Sequence, residues 1–213
     1  MLKRFSLAAF AALSLLCAAE APAYAGAEGA KHFLQDIGNK AVAIAARKQP
    51  FAARQAELEK LFTKSVDVPW VARFVLGKYW REATPAQQKA YLERYQGFLV
   101  KHYTSKFADY AGETFTITNV KEDGDNEYTL TMDIARPHAE DIVVDYRLRE
   151  AGGSYKIFDI IVEGVSLITT HRSDFSAYVS QQGLDALIAE LDRKTAALVA
   201  QQGKSQGDKP PSL

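Results

Sequence analysis

The chain has 213 residues, with 26 basic and 26 acidic side chains and a formal net charge of zero. This balance argues against the strongly basic surface that marks nucleic-acid-binding proteins. The chain contains one cysteine, Cys17, which excludes a disulfide-stapled fold. A chain of this length can bury a sizeable core without staples.

The N-terminal segment has the three parts of a cleavable secretion signal. Lys3 and Arg4 give it a positive start, an apolar run covers residues 7–16, and small residues stand at Ala23 and Ala25. The apolar run is shorter than the roughly 20 residues that span a bilayer. The segment therefore predicts export from the cytoplasm.

These features divide the chain into three parts. We predict a signal peptide over residues 1–25, one mature domain over residues 26–202 and a disordered tail over residues 203–213, which is rich in polar residues and proline. The alternatives are an uncleaved membrane anchor and a lipoprotein attached through Cys17. Leu16 disfavours the lipoprotein, because its processing requires a small residue before the cysteine.

The first half of the mature chain shows apolar residues at helical spacing. Thr84 and Pro85 begin the best-marked helix, and Gln87 completes a capping box. The pattern predicts four helices, over residues 30–48, 55–64, 69–76 and 85–109.

Between residues 114 and 162 the apolar period changes to two, which indicates strands. Turn sequences at residues 123–126 and 152–153 separate them. The predicted strands cover residues 115–121, 127–135, 142–148 and 155–162, and two further helices cover residues 167–182 and 184–200. The expected fold class is α+β, with helices packed on a curved four-stranded antiparallel sheet.

Candidate catalytic groups are few. The histidines have no partner at metal-ligand spacing; they are His32, His102, His138 and His171. Ser166 precedes a helix and is typical of an N-cap. Asp159 and Glu163 end the fourth predicted strand, where they form either structural hydrogen-bond acceptors or a general base. We expect no metal, no cofactor and no enzymatic activity, with the acceptor role favoured.

Ten aromatic residues lie between residues 70 and 110, on or beside the predicted helices. Two arrangements suit them equally well. The rings can fill an aromatic core, or they can line an enclosed apolar cavity rimmed by tyrosine hydroxyls.

Five segments carry a resemblance to a known family. Residues 158–168 read F-D-I-I-V-E-G-V-S-L-I, residues 172–175 read R-S-D-F and residues 183–188 read G-L-D-A-L-I; upstream, residues 76–81 read L-G-K-Y-W-R and residues 84–88 read T-P-A-Q-Q. In these segments the chain resembles the MlaC family of periplasmic phospholipid-binding proteins, also known as toluene-tolerance auxiliary proteins. The likeness covers about residues 31–200. Thr170 and His171 replace the family's usual asparagine–tyrosine pair.

The resemblance implies an NTF2-like fold whose interior cavity holds phospholipid tails. It implies a periplasmic monomer that carries lipid between an outer-membrane lipoprotein complex and an inner-membrane ABC transporter with an MCE-domain protein. A hopanoid-type cargo is the alternative. Arg172, which matches the family's basic residue, would either pair with Glu163 or contact a lipid head group.

From the periodicity we predict which side chains line the cavity. The predicted lipid-binding residues are Val75, Leu76, Tyr91, Tyr95, Phe98 and Tyr103 from the helices, and Tyr146, Ile161 and Val165 from the sheet. Two other functions stay open. One is an enzyme with Asp159 or Glu163 as base and an apolar substrate, and the other is a partner-binding module of an envelope transporter that carries no lipid.

Overall fold

The computed structural model describes residues 25–207, with side chains described to residue 202. Within this range the chain forms seven helices and one five-stranded antiparallel sheet, which confirms the α+β class. The predicted signal peptide lies outside the described residues except for Ala25, and residues 208–213 of the predicted tail also lie outside them.

Five helices precede the sheet and two follow it. They are α1 (Gly26–Ala45), α2 (Phe51–Ser65), α3 (Val68–Leu76), α4 (Lys78–Glu82), α5 (Pro85–Ser105), α6 (Leu167–Gln182) and α7 (Leu184–Gly207). The capping box of α5 is confirmed: the Gln87 backbone N–H donates to the Thr84 hydroxyl at 3.3 Å, and the Thr84 backbone N–H donates to Gln87 Oε1 at 3.1 Å.

The sheet follows chain order, with every neighbouring pair antiparallel. Its strands are β1 (Thr114–Gly124), β2 (Glu127–Ala135), β3 (Ile142–Ala151), β4 (Ser154–Val162) and β5 (Val165–Ser166). The first hairpin turns at Asp125 and Asn126, which both have positive φ. Paired positive φ values are typical of the type I′ turn, which fits the twist of a β-hairpin. Both predicted turns are confirmed.

The sheet has five strands rather than the predicted four. Glu163 and Gly164 also have positive φ, at 51° and 79°, and turn the chain back so that Val165 pairs with Val162. The resulting strand β5 is only two residues long, too short to show a period of two in the sequence.

The helices also differ from the prediction. Helices α1 and α2 begin at Gly26 and Phe51, four residues before their predicted starts. Helix α5 ends at Ser105 rather than near residue 109, because the chain there continues in i→i−3 turns. Helix α4 had no sequence signal, since five residues are too few for an amphipathic period. Helix α7 continues to Gly207, so the structure places residues 203–207 in a helix rather than in the disordered tail.

A bulge in β4 changes which side chains face the interior. Arg147 of β3 pairs with Asp159 and Leu148 pairs with Ile157, which leaves Phe158 as the extra residue. Three consecutive side chains, Ile157, Phe158 and Asp159, are therefore buried instead of alternating. The bulge is what places the Asp159 carboxylate inside the fold.

Two apolar cores hold the elements together. One lies between α1 and the sheet, where Leu34 packs among side chains that include Leu130 and Leu148. The other joins α3, α5, α6 and α7, and Phe158 links it to the sheet. The helical core and β4 enclose a small cavity between them.

Helix α1 can approach the sheet closely because residue 38 is glycine. A Cβ atom at Gly38 would lie 2.3 Å from Phe115 Cζ of β1. We expect Gly38→Ala to lower the free energy of unfolding by about 1–2 kcal/mol, because overpacking outweighs the gain in helix propensity. Urea unfolding measures the change.

Gly97 in the interior of α5 is the matched control, because a Cβ atom there would meet no other atom within 4 Å. Gly97→Ala should therefore stabilise the protein by about 0.5–1 kcal/mol. The same sign of change in both variants would contradict the close approach of Gly38 to Phe115.

Candidate functional site

A small cavity lies between β4 and the helices. Its volume is about 30 Å³, close to the volume that one water molecule occupies in the liquid. Most of the walls are apolar, with polar groups from Tyr95, Tyr103, Asp159 and His171. The remaining lining residues are Phe62, Val66, Val71, Leu99, Ile157, Phe158, Ile160, Leu167 and Ile168.

The aromatic side chains around the cavity pack mainly on one another. Tyr91 and Tyr95 are fully buried, with their rings stacked at a centroid distance of 5.5 Å. The Tyr91 hydroxyl donates to the Ala72 carbonyl at 3.2 Å, and burial raises the pKa of Tyr103 to about 12. Of the two arrangements that the composition allowed, this structure has a dense aromatic core with one small cavity.

Asp159 joins the sheet to the start of α6. Its carboxylate accepts hydrogen bonds from the Ser166 hydroxyl at 2.7 Å and from the Ile168 backbone N–H at 3.3 Å. Ser166 accepts a hydrogen bond from the Thr169 backbone N–H, so the predicted N-cap is confirmed. Glu163 is exposed in the preceding turn and does not pair with Asp159. The two carboxylates are structurally separate.

His171 lies at the edge of the cavity. It occupies the position of the tyrosine in the asparagine–tyrosine pair named above. Its Nδ1 atom shares a hydrogen bond with the Tyr95 hydroxyl at 3.0 Å, and its ring stacks on Phe175 at a centroid distance of 5.7 Å. Burial lowers the pKa of His171, and the nearby His102 lowers it further. The side chain is therefore neutral at pH 7.

The lowered pKa of His171 makes stability depend on pH. An unfolded histidine has a pKa of about 6.5, so between that value and the folded pKa the unfolded state binds more protons. We expect the free energy of unfolding to be constant above about pH 6.5 and to fall as the pH decreases from there to the folded pKa of His171. His171→Gln should reduce this slope, as measured by urea unfolding at a series of pH values.

His138→Gln is the control, because His138 is exposed in the loop between β2 and β3. This variant should keep the wild-type slope. An unchanged slope in His171→Gln would show that protonation of His171 does not limit stability.

The structure brings some of the predicted lipid-binding residues together. Tyr95 and Tyr103 line the cavity. Four others belong to the surrounding helical core: Val75, Leu76, Tyr91 and Phe98. Tyr146 packs against the core under α1, Ile161 is half-buried on β4, and Val165 is 55% exposed on β5. These last three do not line the cavity in this structure.

Arg172 contacts neither Glu163 nor another carboxylate among the described side chains. Its Nη1 donates to the Phe74 carbonyl at 3.2 Å, and its guanidinium carbon lies 4.7 Å from the centroid of the Phe74 ring. It therefore satisfies a carbonyl at the C-terminal end of α3. The proposed salt bridge to the Glu163 turn is wrong.

A wider surface groove of about 840 Å³ runs between α2 and α5. Charged side chains line much of it, including Lys60, Glu93 and the ion pair of Lys101 with Glu59. The groove also lies open at the surface, more so than the cavity beside β4. The cavity beside β4 is the better candidate site.

The described part of the chain also lacks a metal-binding cluster and a membrane-spanning helix. No group of three or more His, Cys, Asp or Glu side chains there could hold a metal ion. None of its helices combines the length and the hydrophobicity needed to cross a membrane.

Comparison with known proteins gives a direct match. A sequence model of the MlaC protein family matches residues 35–193. The chain belongs to the MlaC family. This confirms the resemblance carried by the five segments between residues 76 and 188.

Two curated relatives agree with this membership. The toluene tolerance protein ttg2D of Pseudomonas putida is 25% identical over 60% of this chain, and the intermembrane phospholipid transport system binding protein MlaC of Haemophilus influenzae is 21% identical over 62%. The chain spans 60% and 63% of the length of these relatives.

A solved structure has the same fold. It is a phospholipid-binding protein from Ralstonia solanacearum in complex with a phospholipid, with a TM-score of 0.70 and 20% sequence identity. The match covers 80% of this chain and 98% of that one. At this level of identity the comparison establishes the fold of the MlaC-family chain and not its ligand.

Sequence reasoning missed much of the cavity wall. Phe158, Leu167 and Ile168 line the cavity and belong to the family motif at residues 158–168. The motif could have indicated these residues. A family motif without an evident catalytic pattern can instead form the wall of a binding cavity. Leu99 and Val71 had no signal beyond their helical period.

Proposed function

We propose that this protein is a periplasmic phospholipid carrier whose cavity beside β4 opens to take acyl chains. The observation that carries the proposal is the apolar cavity between β4, α3, α5 and α6, in a chain that belongs to the MlaC family. The phospholipid complex of the Ralstonia solanacearum protein, which has the same fold, supports the choice of ligand.

The cavity must enlarge to hold a lipid tail, since about 30 Å³ admits only a few atoms. Helix α6 is tied to β4 through Asp159, and the Asp67 backbone N–H, after α2, donates to the Ile157 carbonyl at 2.9 Å. Among the described residues no hydrogen bond joins α5 to β4; Tyr95, Leu99 and Tyr103 face the cavity from that helix. We infer that the site opens by movement of α5 away from β4, which requires the hydrogen bond between the Tyr95 hydroxyl and His171 of α6 to break.

The energetics favour exchange over tight retention. Burial of each methylene group is worth about 0.8 kcal/mol relative to water. A bilayer buries the same tails, so the carrier needs only to approach the bilayer in affinity. Docking partners can then decide whether lipid enters or leaves. No catalytic residue is required for such transfer.

The MlaC family also suggests where the protein works and which complexes it meets. We infer that the mature protein is a monomer in the periplasm, with an NTF2-like arrangement, exchanging lipid with an outer-membrane lipoprotein complex and an inner-membrane MCE-domain ABC transporter. The relative named as the binding protein of an intermembrane phospholipid transport system supports this setting.

Vesicle transfer tests the function. Purified mature protein is mixed with donor vesicles that contain labelled phospholipid, and the vesicles are then removed by sedimentation. We expect labelled lipid in the soluble fraction in stoichiometric amounts, and its delivery to acceptor vesicles. Labelled lipid that stays wholly with the donor vesicles would overturn the carrier function.

A further inference from the structure

Helices α3 and α4 present an outer surface rich in cations and aromatic rings. We call it the α3–α4 face and define it by Trp70, Arg73, Phe74, Lys78, Trp80 and Arg81. Trp70, Arg73 and Phe74 have i, i+3, i+4 spacing and share one side of α3. Val71 and Val75, on the other side, are buried in the helical core.

The rings and the cations of this face contact each other directly. Trp70 stacks on Phe74 at a centroid distance of 5.1 Å. The Arg73 guanidinium carbon lies 5.5 Å from the Trp80 ring, and Lys78 Nζ lies 4.9 Å from the centroid of Tyr79. The aromatic side chains are half-buried, so each ring has one part packed on the protein and another part exposed.

The cations of the face lack acidic partners. Arg73, Lys78 and Arg81 are exposed, and none forms a salt bridge within residues 25–202. Residues 68–82 contain these three cations and one carboxylate, Glu82, a net charge of +2 in a chain whose total is zero. The adjacent Arg172, stacked on Phe74, raises the local charge to +3.

Unpaired cations beside half-exposed tryptophan rings suit a bilayer interface. Trp and Tyr rings favour the headgroup level of a membrane, where one part of the ring is apolar and the other is wet. Lys and Arg close to an anionic leaflet are attracted by its surface potential. An acidic protein surface would use the same charges, but it would not require half-exposed tryptophan rings beside them. Trp70 also packs inward, since its ring contacts Phe158 edge to face at 5.3 Å and the Arg149 guanidinium carbon lies 4.5 Å from its centroid.

We propose that the α3–α4 face docks this protein on an anionic bilayer surface. The inference goes beyond the proposed carrier function, because it rests on surface charges and rings and holds whatever the cavity carries. The outer side of α3 would contact the bilayer, while Val71 on the inner side of the same helix lines the cavity. Docking therefore places one wall of the cavity close to the source of lipid.

Vesicle sedimentation tests the docking. We expect the mature protein to sediment with phosphatidylglycerol-containing vesicles at low salt, to be released by about 0.5 M salt, and to ignore phosphatidylcholine vesicles. The triple variant Arg73→Gln, Lys78→Gln and Arg81→Gln should bind about 100-fold more weakly, since each cation near an anionic surface contributes about fivefold.

A charge-matched control uses three cations on other parts of the surface, with the substitutions Lys31→Gln, Lys48→Gln and Lys106→Gln. All three side chains are exposed. This variant has the same net charge as the triple variant of the face and should sediment like the wild type. An equal loss of vesicle binding in both triple variants would show that net charge alone causes the attraction, and it would overturn the proposal.

Intrinsic fluorescence gives a second reading, because Trp70 and Trp80 are the two tryptophans of the whole chain. Lipids brominated near the head group should quench them in anionic vesicles and leave them unquenched in the triple variant of the face. Sedimentation without quenching would place the contact elsewhere and overturn the proposal. No association with anionic vesicles at low salt would overturn it in favour of an acidic protein partner.

Failure of docking and failure of the carrier function are distinguishable. Sedimentation and quenching report on the surface, whereas native mass spectrometry of the free protein reports on cargo in the cavity. A protein that carries phospholipid but ignores anionic vesicles refutes the docking surface alone. A protein that docks but never holds lipid refutes the carrier function alone.

Discussion

Asp159→Ala should lower the free energy of unfolding by about 2–4 kcal/mol, a loss comparable to that of truncating a buried core side chain. The buried carboxylate accepts from the Ser166 hydroxyl and the Ile168 backbone N–H. Its removal leaves the buried Ile168 backbone N–H without this acceptor, while the Ser166 hydroxyl, as a donor, keeps only its hydrogen bond to the Thr169 hydroxyl at 2.9 Å. Urea unfolding monitored by circular dichroism measures the loss.

The matched comparison is between two changes of carboxylate to amide. Asp159→Asn should destabilise the protein measurably, whereas Glu163→Gln should stay within about 0.5 kcal/mol of wild type because Glu163 is exposed. Wild-type stability in Asp159→Ala would contradict the structural role. If Asp159→Asn abolished turnover of a substrate without loss of stability, the enzyme hypothesis would replace it.

Leu167→Trp should reduce phospholipid uptake by about tenfold or more, equivalent to at least 1.4 kcal/mol of binding free energy. Leu167 is the first residue of α6, lines the cavity and is half-buried. An indole at this position would occupy space that an acyl chain needs, from the side of the cavity that is tied to β4. Because the position is at the edge of the core, we expect a loss of stability of only about 1–2 kcal/mol.

Val199→Trp is the control for the added indole. Val199 lies on α7, is 49% exposed and does not line the cavity. It should leave uptake unchanged in the same vesicle assay. Uptake by Leu167→Trp at the wild-type rate, in a variant that unfolds cooperatively, would show that lipid tails do not enter beside β4.

Local signals predicted two helix starts correctly, those of α5 and α6. The capping box at Thr84 and the N-cap at Ser166 each depend on side chains within three residues of the helix start, so the sequence contains the whole interaction. The turn at Asp125 and Asn126 was equally readable, because a type I′ turn selects these residue types directly.

Features that depend on pairing across elements were not readable. The bulge at Phe158 arises from the register of β4 against β3, and this register has no signal in β4 alone. The bulge buries Asp159, whereas Glu163, predicted at the end of the same strand, lies beyond β4 in an exposed turn with a positive φ of 51°. Strand β5 exists because the Glu163 turn returns the chain to β4, and its two residues are too few to form a pattern.

The size of the cavity also could not be predicted from the sequence. The count of aromatic residues predicted rings close together but not whether they would stack or surround a space. Tyr95 is a case in point: it lines the cavity, yet it also stacks on Tyr91 and contacts Phe175 edge to face at 5.6 Å. Whether such rings stack or leave a space between them depends on tertiary packing, in particular on how α5 packs against β4.

Native mass spectrometry of the exported, purified protein tests the central claim most directly. We expect a population whose mass exceeds that of the polypeptide by one phospholipid, which solvent extraction then identifies. A bound hopanoid-type lipid instead of a phospholipid would change the identity of the cargo but still support the carrier function. Polypeptide mass alone, in protein that also fails to take up lipid from phospholipid vesicles, would contradict the claim that the cavity beside β4 binds acyl chains.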